Sequence, residues 1–582
     1  MIDVLFIVPP FVTCSLPFPT VCTLQSILLS KNISSKIFYA NILLKSRIDY
    51  KFYEELSEFF KFPDTAEFIF SSYAFPQEKK KHKDYESKLK QNPYLYEKVY
   101  SVKKVLEEYL NDLTSYIKQK SPKIVWIDTF QNQLTASITI INLIKKILPD
   151  TIVAMGGLKC LYPMGEEILK LTPNLDFVFS GEPDIDFPDF CQKKLNNKSP
   201  TNICQGILHC VPVQNLDELP FPDFNDYFLQ IRSISSMKKI SFEGSRGCWW
   251  GQNKHCIFCG HNGKDNSFKK KSPERAILEL NYLIKTYNPD IIQAFDSIIP
   301  MEYPEKVFSK LNVPSNIKYI FYELSPKLKY KQLKIIKKRS FNICQSGIET
   351  FDDKLLKILN KGTTAINNIR FLKDSRSLGI DIRWNLLYDI PGESEHNYED
   401  MIKLFPLIAH LQPPNDIRPI FITRFTPLFN KSHTFEINSL KPLGGYQFIF
   451  PDNININRLA RYFSGEYKKA LNNKILKNNF FKALDKWKKK WSNKKKKPNL
   501  ELLCRNDEKF IIDSRSNKKE IIKISNNSYN LLRKLVTPIL EKKLQEYILK
   551  NGHIETFQHL INHNFILKIN NYYLSLVILN KV

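Results

Sequence analysis

Glycine is scarce in this chain, and long apolar runs are absent from its 582 residues. Only 18 glycines occur, while Lys, Asn and Ile are abundant, which indicates an overall compositional bias. No stretch reaches the length of about 18 apolar residues that a membrane-spanning helix needs. The longest early run, residues 3–12, is interrupted by Pro9 and Pro10. We therefore expect no transmembrane helix, no signal peptide and a cytoplasmic location.

Acidic residues are also few, since 59 Asp and Glu stand against 86 Lys and Arg, for a net charge of +27. The excess is diffuse and follows the composition, so it predicts neither a membrane nor a nucleic-acid partner. One block, residues 486–497, holds eight Lys and no acid. No recognition motif surrounds this block, so we interpret it as a solvated linker or helix face.

The overall composition is that of a globular protein. Hydrophobic residues make up 43% and charged residues 25% of the chain, which excludes a disordered, collagenous or coiled-coil protein. The length predicts roughly three to five domains, each able to bury its own core.

The first 215 residues alternate short β-branched runs with helical patterns. This alternation predicts an α/β unit with a parallel, Rossmann-like sheet, interrupted by a helical insertion at about residues 48–120. The predicted strands are Val4–Val8, Ser35–Tyr39, Lys123–Asp128, Thr151–Met155 and Phe177–Ser180.

Four further segments follow. Two prolines in LDELPFPD predict an extended linker over residues 216–235. Six strand and helix repeats over residues 236–450 predict a partial or full βα barrel, whose chemistry lies at the carboxyl ends of the strands. Residues 451–500 are expected to form a basic helical connector. Residues 501–582 predict a winged-helix-like unit of two paired strands, three helices and a hairpin, with Thr537 and Pro538 beginning the middle helix.

Eleven cysteines in a large chain without a secretory signal indicate a reducing compartment. Three of them, Cys248, Cys256 and Cys259, form a C-x7-C-x2-C motif directly after the first strand of the barrel. Three thiolates from one loop leave a four-metal cluster one ligand short, so the motif predicts an iron–sulfur site with an open position. Trp249 and Trp250 beside it can exclude water.

Two other interpretations of these cysteines remain open. His255 or His261 would complete a tetrahedral zinc site as a fourth ligand. The three thiols would otherwise be unrelated residues of the core.

The text from Phe242 to Gly263 resembles the radical S-adenosylmethionine (SAM) enzymes, in which three cysteines hold a four-iron four-sulfur (4Fe-4S) cluster and SAM binds the open iron. Seven residues between the first two cysteines depart from the family's commonest spacing of three. The longer spacing and the paired Trp are similar to the subgroup that matures ribosomally synthesised peptides (RiPP maturation).

Three downstream segments agree with that resemblance in order: Tyr322-Glu323, QSGIET and LLYDIPGES, each at the end of a predicted strand. The resemblance implies that their residues contact SAM; ordinary strand-to-helix loops are the alternative. The acidic motif expected after the second strand is absent from Ala294–Ser297. The implied SAM-binding residues are Phe258, Glu323, Gly347, Glu349, Pro391, Gly392, Glu393 and Arg424.

The first unit resembles the cobalamin-binding domain of class B radical SAM methylases. The similarity lies in IVPP, DTFQNQLTAS, MGGLKC and FSGEPD, each at the carboxyl end of a predicted strand, where open sheets bind cofactors. The cobalt-ligating DxHxxG motif is absent, so no histidine from it would bind cobalt. A cofactor-free scaffold is the alternative. The implied cofactor-binding residues are Pro10, Thr129, Gln131, Gln133, Gly156, Gly157, Gly181 and Glu182.

These resemblances together imply a cobalamin-dependent radical SAM methyltransferase that acts on an unactivated carbon of a precursor peptide. Such a carbon has no acidic proton, so removal of a hydrogen atom is needed before a methyl group can be attached. The partners implied are a precursor peptide with a leader and an electron donor such as flavodoxin or ferredoxin. The carboxyl-terminal unit is similar to leader-binding modules, although a structural cap fits it equally well.

Two other functions remain open. One is a peptide-modifying radical SAM enzyme that does not transfer methyl groups, such as an epimerase or a crosslinking enzyme. The other is an enzyme that modifies transfer RNA, although such relatives usually end in a small β-barrel.

Overall fold

The computed structural model describes residues 2–58, 61–62, 64–130, 132–200, 202–232, 234–493, 496–516 and 518–579. The predicted contact residue Gln131 lies outside these ranges. Across the described ranges, no helix combines the length and the apolar character needed to cross a bilayer.

The amino-terminal unit is built on a seven-stranded sheet in the order β2-β1-β3-β4-β5-β7-β6, parallel except for β6. The predicted strands of this unit are confirmed, and two short ones are added at one edge. The strands are β1 (Val4–Ile7), β2 (Ser35–Phe38), β3 (Ile124–Asp128), β4 (Ile152–Gly156), β5 (Phe177–Ser180), β6 (Ile203–Cys204) and β7 (Ile207–His209).

The order 2-1-3-4-5 places the topological switch point of this doubly wound sheet between β1 and β3, because successive crossovers leave in opposite directions there. Four helices occupy residues 50–120, within the predicted helical insertion. The helices are α1 (Pro19–Ser30), α2 (Ala40–Lys45), α3 (Tyr50–Ser57), α4 (Thr65–Ala74), α5 (Lys79–Leu89), α6 (Pro93–Lys120), α7 (Leu134–Ile147), α8 (Met164–Leu171), α9 (Asp186–Leu195) and α10 (Asn225–Ile231).

The segment predicted as an extended linker is folded onto the first unit. Helix α10 packs beside β2, where the carboxylate of Asp226 accepts hydrogen bonds from Gln25 Nε2 at 2.8 Å and from the Ile37 amide at 2.9 Å. Asp226 is buried, so these bonds compensate a charge that would otherwise be costly.

The second unit is an open, parallel βα barrel, as predicted. Its strands are β8 (Lys239–Phe242), β9 (Ser245–Arg246), β10 (Lys269–Lys270), β11 (Ile291–Ala294), β12 (Tyr319–Phe321), β13 (Glu323–Leu324), β14 (Ile343–Ser346), β15 (Asp381–Arg383), β16 (Asn385–Tyr388) and β17 (Asp416–Pro419). Its helices are α11 (Gly251–Lys254), α12 (Pro273–Tyr287), α13 (Tyr330–Lys337), α14 (Asp353–Ile358), α15 (Ala365–Ser377) and α16 (Glu395–Leu407).

The barrel strands follow one another in the order β8, β11, β12/β13, β14, β15/β16 and β17. Two of them are interrupted by one residue, Tyr322 and Trp384, and both side chains are fully buried. Main-chain hydrogen bonds continue across the interruptions, since Gln345 N donates to Tyr322 O and Asn415 N donates to Trp384 O. The carboxyl ends of the strands therefore open towards one mouth.

Residues 422–466 differ from the prediction, because the end of the predicted barrel (to residue 450) and the start of the predicted helical connector (451–500) together form a small antiparallel sheet in the order β18-β20-β19. The strands are β18 (Ile422–Thr423), β19 (Asn438–Pro442) and β20 (Tyr462–Glu466). The accompanying helices are α17 (Pro427–Asn430), α18 (Tyr446–Ile449), α19 (Ile456–Leu459) and the basic helix α20 (Lys474–Ser492).

The carboxyl-terminal unit holds two three-stranded sheets, in the orders β21-β22-β23 and β24-β26-β25. The predicted strand pair and hairpin are confirmed, whereas the helix start at Thr537 and Pro538 is wrong. Ile539 and Leu540 pair with β26 instead, and the helix begins at Glu541. The elements are β21 (Leu500–Arg505), β22 (Glu508–Asp513), β23 (Glu520–Ile524), α21 (Asn526–Lys534), β24 (Ile539–Leu540), α22 (Glu541–Lys550), α23 (Ile554–Asn562), β25 (Ile566–Ile569) and β26 (Tyr572–Ser575).

Buried cations hold this last unit against the barrel. Lys373 of α15 donates to the carbonyl oxygens of Ser575 at 2.6 Å and Val536 at 3.2 Å. Burial lowers the pKa of Lys373 to about 8. The carboxyl-terminal unit is thus an integral part of the structure rather than a module on a free linker.

Packing explains one of the glycines in the amino-terminal unit. A methyl group on Gly156 would approach Trp126 Cζ2 to 2.1 Å, so Gly156→Ala is expected to lower the thermal midpoint, at a cost of about 1–3 kcal/mol for overpacking. Trp126→Phe removes the overlapping ring atoms, so the double variant should lose less than the sum of the single changes. Thermal melts of the three variants measure this coupling, and strictly additive losses would contradict the packing explanation.

Candidate functional site

The three motif cysteines lie on one loop, residues 247–268, which we call the cysteine loop. Its base is closed by the antiparallel pairing of β9 with β10. The amide of Ile257 donates to Leu359 O at 3.2 Å, and Leu428 N donates to Ile257 O at 3.0 Å. The turn between Cys256 and Cys259 is therefore held between the loop after α14 and the start of α17.

The sulfur atoms of this loop are partly buried, unoxidised thiols. Gly251 N donates to Cys248 Sγ at 3.3 Å, a contact that orients this sulfur atom. Burial raises the pKa of Cys256 to about 11 and also raises the pKa of Cys259, and the nearby Cys248 adds to both shifts. The soft donors and their shared loop fit an iron–sulfur cluster held by Cys248, Cys256 and Cys259.

The zinc alternative fits less well. His255 Nε2 lies 2.5 Å from Cys259 O and is therefore engaged by the main chain of the loop. Within the described ranges, no three His, Cys, Asp or Glu side chains converge closely enough to bind a single metal ion. A four-iron cluster does not require that convergence, because each cysteine binds a different iron.

The paired tryptophans are anchored to neighbouring loops of the barrel. Trp249 Nε1 donates to Ile299 O at 3.3 Å, and Trp250 Nε1 donates to Asn360 O at 2.7 Å. Lys327 Nζ lies 4.2 Å from the centroid of the Trp250 ring. Both indoles are thereby fixed beside Cys248, where they limit the access of water.

Lys361 brings together several of the predicted SAM-binding residues. Its ammonium group donates to Glu349 Oε1 at 3.1 Å and lies 5.7 Å from the centroid of the Phe258 ring. Gly347 is also adjacent, since a methyl group there would come within 2.6 Å of Lys361 Nζ. Burial and the neighbouring Glu349 raise the pKa of Glu323 to about 8, which keeps that carboxyl group neutral at pH 7.

Glu393 and Arg424, two further predicted SAM-binding residues, are both bound to main-chain groups of the protein. The carboxylate of Glu393 accepts hydrogen bonds from the amides of Ile390 at 2.6 Å and Ala470 at 2.9 Å, so it ties two loops together. Arg424 donates from Nε to Ala460 O at 2.8 Å. Both side chains are buried and bound within the protein, and their contact with SAM stays a prediction.

Pro391 and Gly392 lie in the turn after β16, with Pro391 buried and Gly392 exposed. Gly392 has a φ of +86°, and Ile358 Cδ1 would lie 3.5 Å from a methyl group there. Their part in SAM binding also stays a prediction. Asp296 lies in the segment after the second barrel strand, where the family's acidic motif is expected. It accepts hydrogen bonds from Gly244 N, Ser245 Oγ and Tyr322 OH and so joins three strand ends inside the barrel.

The predicted cofactor-binding residues of the first unit that the structure describes, all except Gln131, lie at the carboxyl edge of its sheet. Gln133 Nε2 donates to Pro9 O at 2.5 Å, so it joins the loops that follow β1 and β3 at the switch point. Thr129 is buried and shares a hydrogen bond with Ser137 Oγ at 2.9 Å. Their side chains are thus engaged within the protein, although Pro10 and the main chain remain at this edge.

Gly156 and Gly157, which lie at this edge, are both required by packing within the protein. Gly157 has a φ of +99°, and a methyl group there would come within 2.6 Å of Asp128 Oδ1 and of Thr129 O. Asp128 Oδ2, in contrast, is buried with no hydrogen-bond partner in the described part of the chain. Burial raises the pKa of Asp128 to about 7. An unsatisfied polar atom at a switch point fits a bound ligand.

Glu182 connects the two units. Arg246, two residues before Cys248, pairs with Glu182 at 2.9 Å and with Asp184 at 2.7 Å, while Lys269 pairs with Glu182 at 2.7 Å. Gly181 precedes this cluster with a φ of +131°. The base of the cysteine loop is therefore ion-paired to the edge of the amino-terminal sheet.

Lys361 and Arg246 are functional candidates that sequence reasoning missed. The sequence around each of them indicated a site, because Arg246 lies in the SRGC segment of the cysteine motif and Lys361 follows the end of α14 near the barrel mouth. A third, Arg461, donates from Nη2 to Gly260 O at 3.0 Å and had no local signal, because 201 residues separate the two.

Comparison with known proteins now assigns the barrel. Residues 242–405 match the Radical SAM superfamily. The chain therefore contains a radical SAM domain, which spans the cysteine loop and the strands from β9 to β16. A protein of Pyrococcus horikoshii described as an uncharacterized methyltransferase is 23% identical over 317 residues, which cover 50% of this chain and 66% of that protein.

Two solved structures have a similar fold over most of this chain. The cobalamin-dependent S-adenosylmethionine radical enzyme OxsB, with aqua-cobalamin and S-adenosylmethionine bound, is similar with a TM-score of 0.56 and 14% identity over 96% of this chain and 72% of that chain. The radical S-adenosylmethionine methyltransferase TsrM from Kitasatospora setae has a TM-score of 0.53 and 12% identity over 83% and 89% of the two chains. The arrangement of an open sheet followed by a radical SAM barrel is therefore shared with both.

Replacement of any one of Cys248, Cys256 and Cys259 by Ala is expected to abolish the cluster of the anaerobically prepared protein, because no spare thiol lies on the loop. Iron analysis and visible absorption measure the loss. Cys344→Ala and the exposed Cys504→Ala are controls that should retain full iron. A motif variant that keeps its iron would contradict the assignment.

Proposed function

We propose that this chain is a cobalamin-dependent radical SAM methyltransferase that modifies an unactivated carbon of a ribosomally synthesised peptide. The observation that carries the proposal is the presence, in one chain, of the cysteine loop and of an open sheet whose carboxyl edge, after β5, is ion-paired to the base of that loop. Similarity to OxsB over 96% of the chain supports the same division of labour.

The residues present suit three cofactors. Cys248, Cys256 and Cys259 would hold the cluster, and the group around Lys361 and Glu349 would hold SAM. The carboxyl edge of the first sheet, with Asp128 at its switch point, would hold cobalamin. When bound, these groups supply a one-electron reductant, a hydrogen-abstracting radical and a methyl donor, while the protein binds, orients and shields.

The protein's own residues then have distinct tasks. Trp249 and Trp250 exclude water from the open side of the loop, which protects reactive species from side reactions. Lys361 pairs with Glu349 at 3.1 Å in a buried setting and so fixes the position of that side chain at the barrel mouth. Arg246 keeps the two units in register. An electron donor such as flavodoxin or ferredoxin would reduce the cluster.

A groove in the carboxyl-terminal half supports a peptide substrate. It has a volume of about 820 Å³ and lies between α16, the basic helix α20, β23 and the end of α23. Its floor is apolar, with Phe405, Pro406 and Trp487, and its rim carries Lys486 and Lys518. Such a lining suits an amphipathic, acidic segment.

The edge of the adjoining sheet is available for strand addition. The outer edge of β21 is covered, since Leu502 N donates to Ile578 O at 3.0 Å. Strand β23 has β22 as its one strand neighbour among the described residues. Glu520 and Ile522 of β23 also line the groove, so an extended leader peptide could pair with this edge while its side chains enter the groove.

Two other functions are tested by the same reaction. A peptide epimerase or crosslinking enzyme would use the radical SAM domain without transferring a methyl group. A transfer-RNA-modifying enzyme would place nucleic acid on the basic surface, and the apolar floor of the groove favours a peptide instead.

Incubation of the reconstituted protein with cobalamin, a reductant, the precursor peptide and SAM labelled in its methyl group is expected to transfer the label to a carbon of the peptide. Mass spectrometry locates the label, and protein without cobalamin is the control. Peptide modification with no label, or equal product without cobalamin, would contradict methyl transfer and favour the alternatives.

The peptide groove has its own prediction. Lys486→Glu together with Lys518→Glu should weaken leader-peptide binding by about tenfold at low salt, because like charges then meet across the groove. Lys477→Glu together with Lys482→Glu makes the same net change on exposed positions of α20 outside the groove and should have little effect. Fluorescence anisotropy of a labelled leader measures both, and equal losses in the two double variants would exclude this groove.

A further inference from the structure

Arg461 is a buried arginine whose guanidinium group is only partly satisfied. Its side chain is buried, with 4% of the residue exposed, and Nη2 donates to Gly260 O in the cysteine loop. Nε and Nη1 are buried without a hydrogen-bond partner anywhere in the described ranges. An unpaired charged donor in the interior is costly, so this arrangement calls for a compensating group.

The surroundings of Arg461 are rich in buried positive charge. Burial lowers the pKa of Lys159 of the amino-terminal unit, and the nearby charges of Arg461 and Arg424 lower it further. All three side chains are buried. Among the residues that the structure describes, none of the three forms an ion pair with a carboxylate. Lys159 contacts Tyr446 OH at 3.4 Å, and Arg424 donates to carbonyl oxygens.

The two carboxylates of this region, Glu67 and Asp64, accept hydrogen bonds from main-chain amides. Glu67 accepts from the amides of Leu134 at 3.1 Å and Thr135 at 2.8 Å. Asp64 accepts from Gly445 N, and burial raises its pKa to about 6. Glu67 and Asp64 lie near Lys159, whereas no carboxylate among the described residues forms an ion pair with Arg461 itself.

The position of Arg461 is a junction between the two units. The cysteine loop packs at Gly260 against Arg424 O, where a methyl group would approach to 2.8 Å. At Gly263 the same loop lies against Leu161 of the amino-terminal unit. Arg461 thus stands where the radical SAM domain, the amino-terminal unit and the segment before β20 meet.

We propose that Arg461 binds the anionic group, a carboxylate or a phosphate, of a small molecule held between the cysteine loop and the amino-terminal unit. This inference rests on the proposed function, which requires ligands on both sides of that junction. The guanidinium fork suits both anions, because it presents paired donors in one plane. The carboxylate source is the amino-acid part of SAM, and the phosphate source is the nucleotide of cobalamin.

A buried arginine with a purely structural task looks different in the same protein. Arg370 donates from Nη1 to Asp374 at 2.9 Å and from Nη2 to the carbonyl oxygens of Pro326 and Leu328. Its charge is paired and its terminal nitrogens are used. Arg370 is therefore a matched control for the loss of a buried guanidinium group.

The test compares whole and truncated ligands on the full-length, cluster-loaded protein. S-adenosylhomocysteine is paired with 5′-methylthioadenosine, which lacks the carboxylate, and hydroxocobalamin is paired with cobinamide, which lacks the phosphate. Arg461→Gln keeps a donor for Gly260 O but removes the charge. It should weaken one whole ligand by about tenfold to a hundredfold and leave its truncated partner unchanged, as expected for loss of a charged hydrogen bond.

The outcomes distinguish the carboxylate of SAM from the phosphate of cobalamin, and they distinguish failure of this proposal from failure of the proposed function. Selective loss for S-adenosylhomocysteine identifies the carboxylate, and selective loss for hydroxocobalamin identifies the phosphate. Equal losses within each pair, or four unchanged affinities, would overturn the proposal. Arg370→Met should lower thermal stability without changing either ratio, whereas a parent protein that binds neither whole ligand would defeat the proposed function as well.

Arg461→Lys provides a second variant in case the glutamine variant does not load its cluster. Lysine keeps one charged donor but cannot form the planar fork, so it should weaken the same whole ligand by about threefold to tenfold. Equilibrium dialysis measures every affinity without relying on turnover. An Arg461→Lys protein with unchanged discrimination between whole and truncated ligands would also overturn the proposal.

Discussion

The geometry of the candidate site depends on how the main chain of the cysteine loop is held at Ile257. This residue donates to Leu359 O and accepts from Leu428 N, and its own side chain is buried. Two hydrogen bonds to elements more than a hundred residues away in sequence fix the turn between Cys256 and Cys259. The site is therefore assembled only when the barrel is closed from β8 to α17.

The second constraint is electrostatic and joins the two large units. Arg246 is shared among Glu182, Asp184 and Glu243 in a partly buried network, and it lies at the base of the cysteine loop. Networks of this kind hold geometry more firmly than isolated surface pairs. A shift of the amino-terminal sheet would thus be transmitted to the cysteines. This coupling suits chemistry in which two ligands, bound on different units, must approach each other.

Local sequence signals predicted the parts of the protein that local physics determines. Alternating apolar runs located the parallel strands, and glycine and acidic residues after those strands marked the mouth, as Gly347 and Glu349 show. Tertiary pairing decided the rest. Thr537 and Pro538 have the composition of a helix start, yet Ile539 and Leu540 pair with β26, because the strand partner outweighs a local cap preference.

Polar contacts between residues distant in sequence could not be predicted from local sequence patterns. Glu393 matched a motif position, but the structure uses its carboxylate to join residues 390 and 470. The contact of Arg461 with the cysteine loop likewise depends on the packing of a sheet that the sequence did not predict. Buried polar groups are specified by their partners, and partners distant in sequence are known only from the fold.

The docking of the carboxyl-terminal unit bears on how a substrate would reach the site. Lys373 and His410 are buried against main-chain carbonyl oxygens of that unit, and removal of the unit would expose their apolar surroundings. The groove beside β23 therefore keeps a fixed position relative to the barrel mouth. The peptide proposed to bind there would be brought to the site only by the length of its own chain, because no flexible protein linker separates the groove from the barrel. The segment between its bound part and its modified residue would then have to match that fixed span, so the groove would select the position along the peptide as well as the sequence.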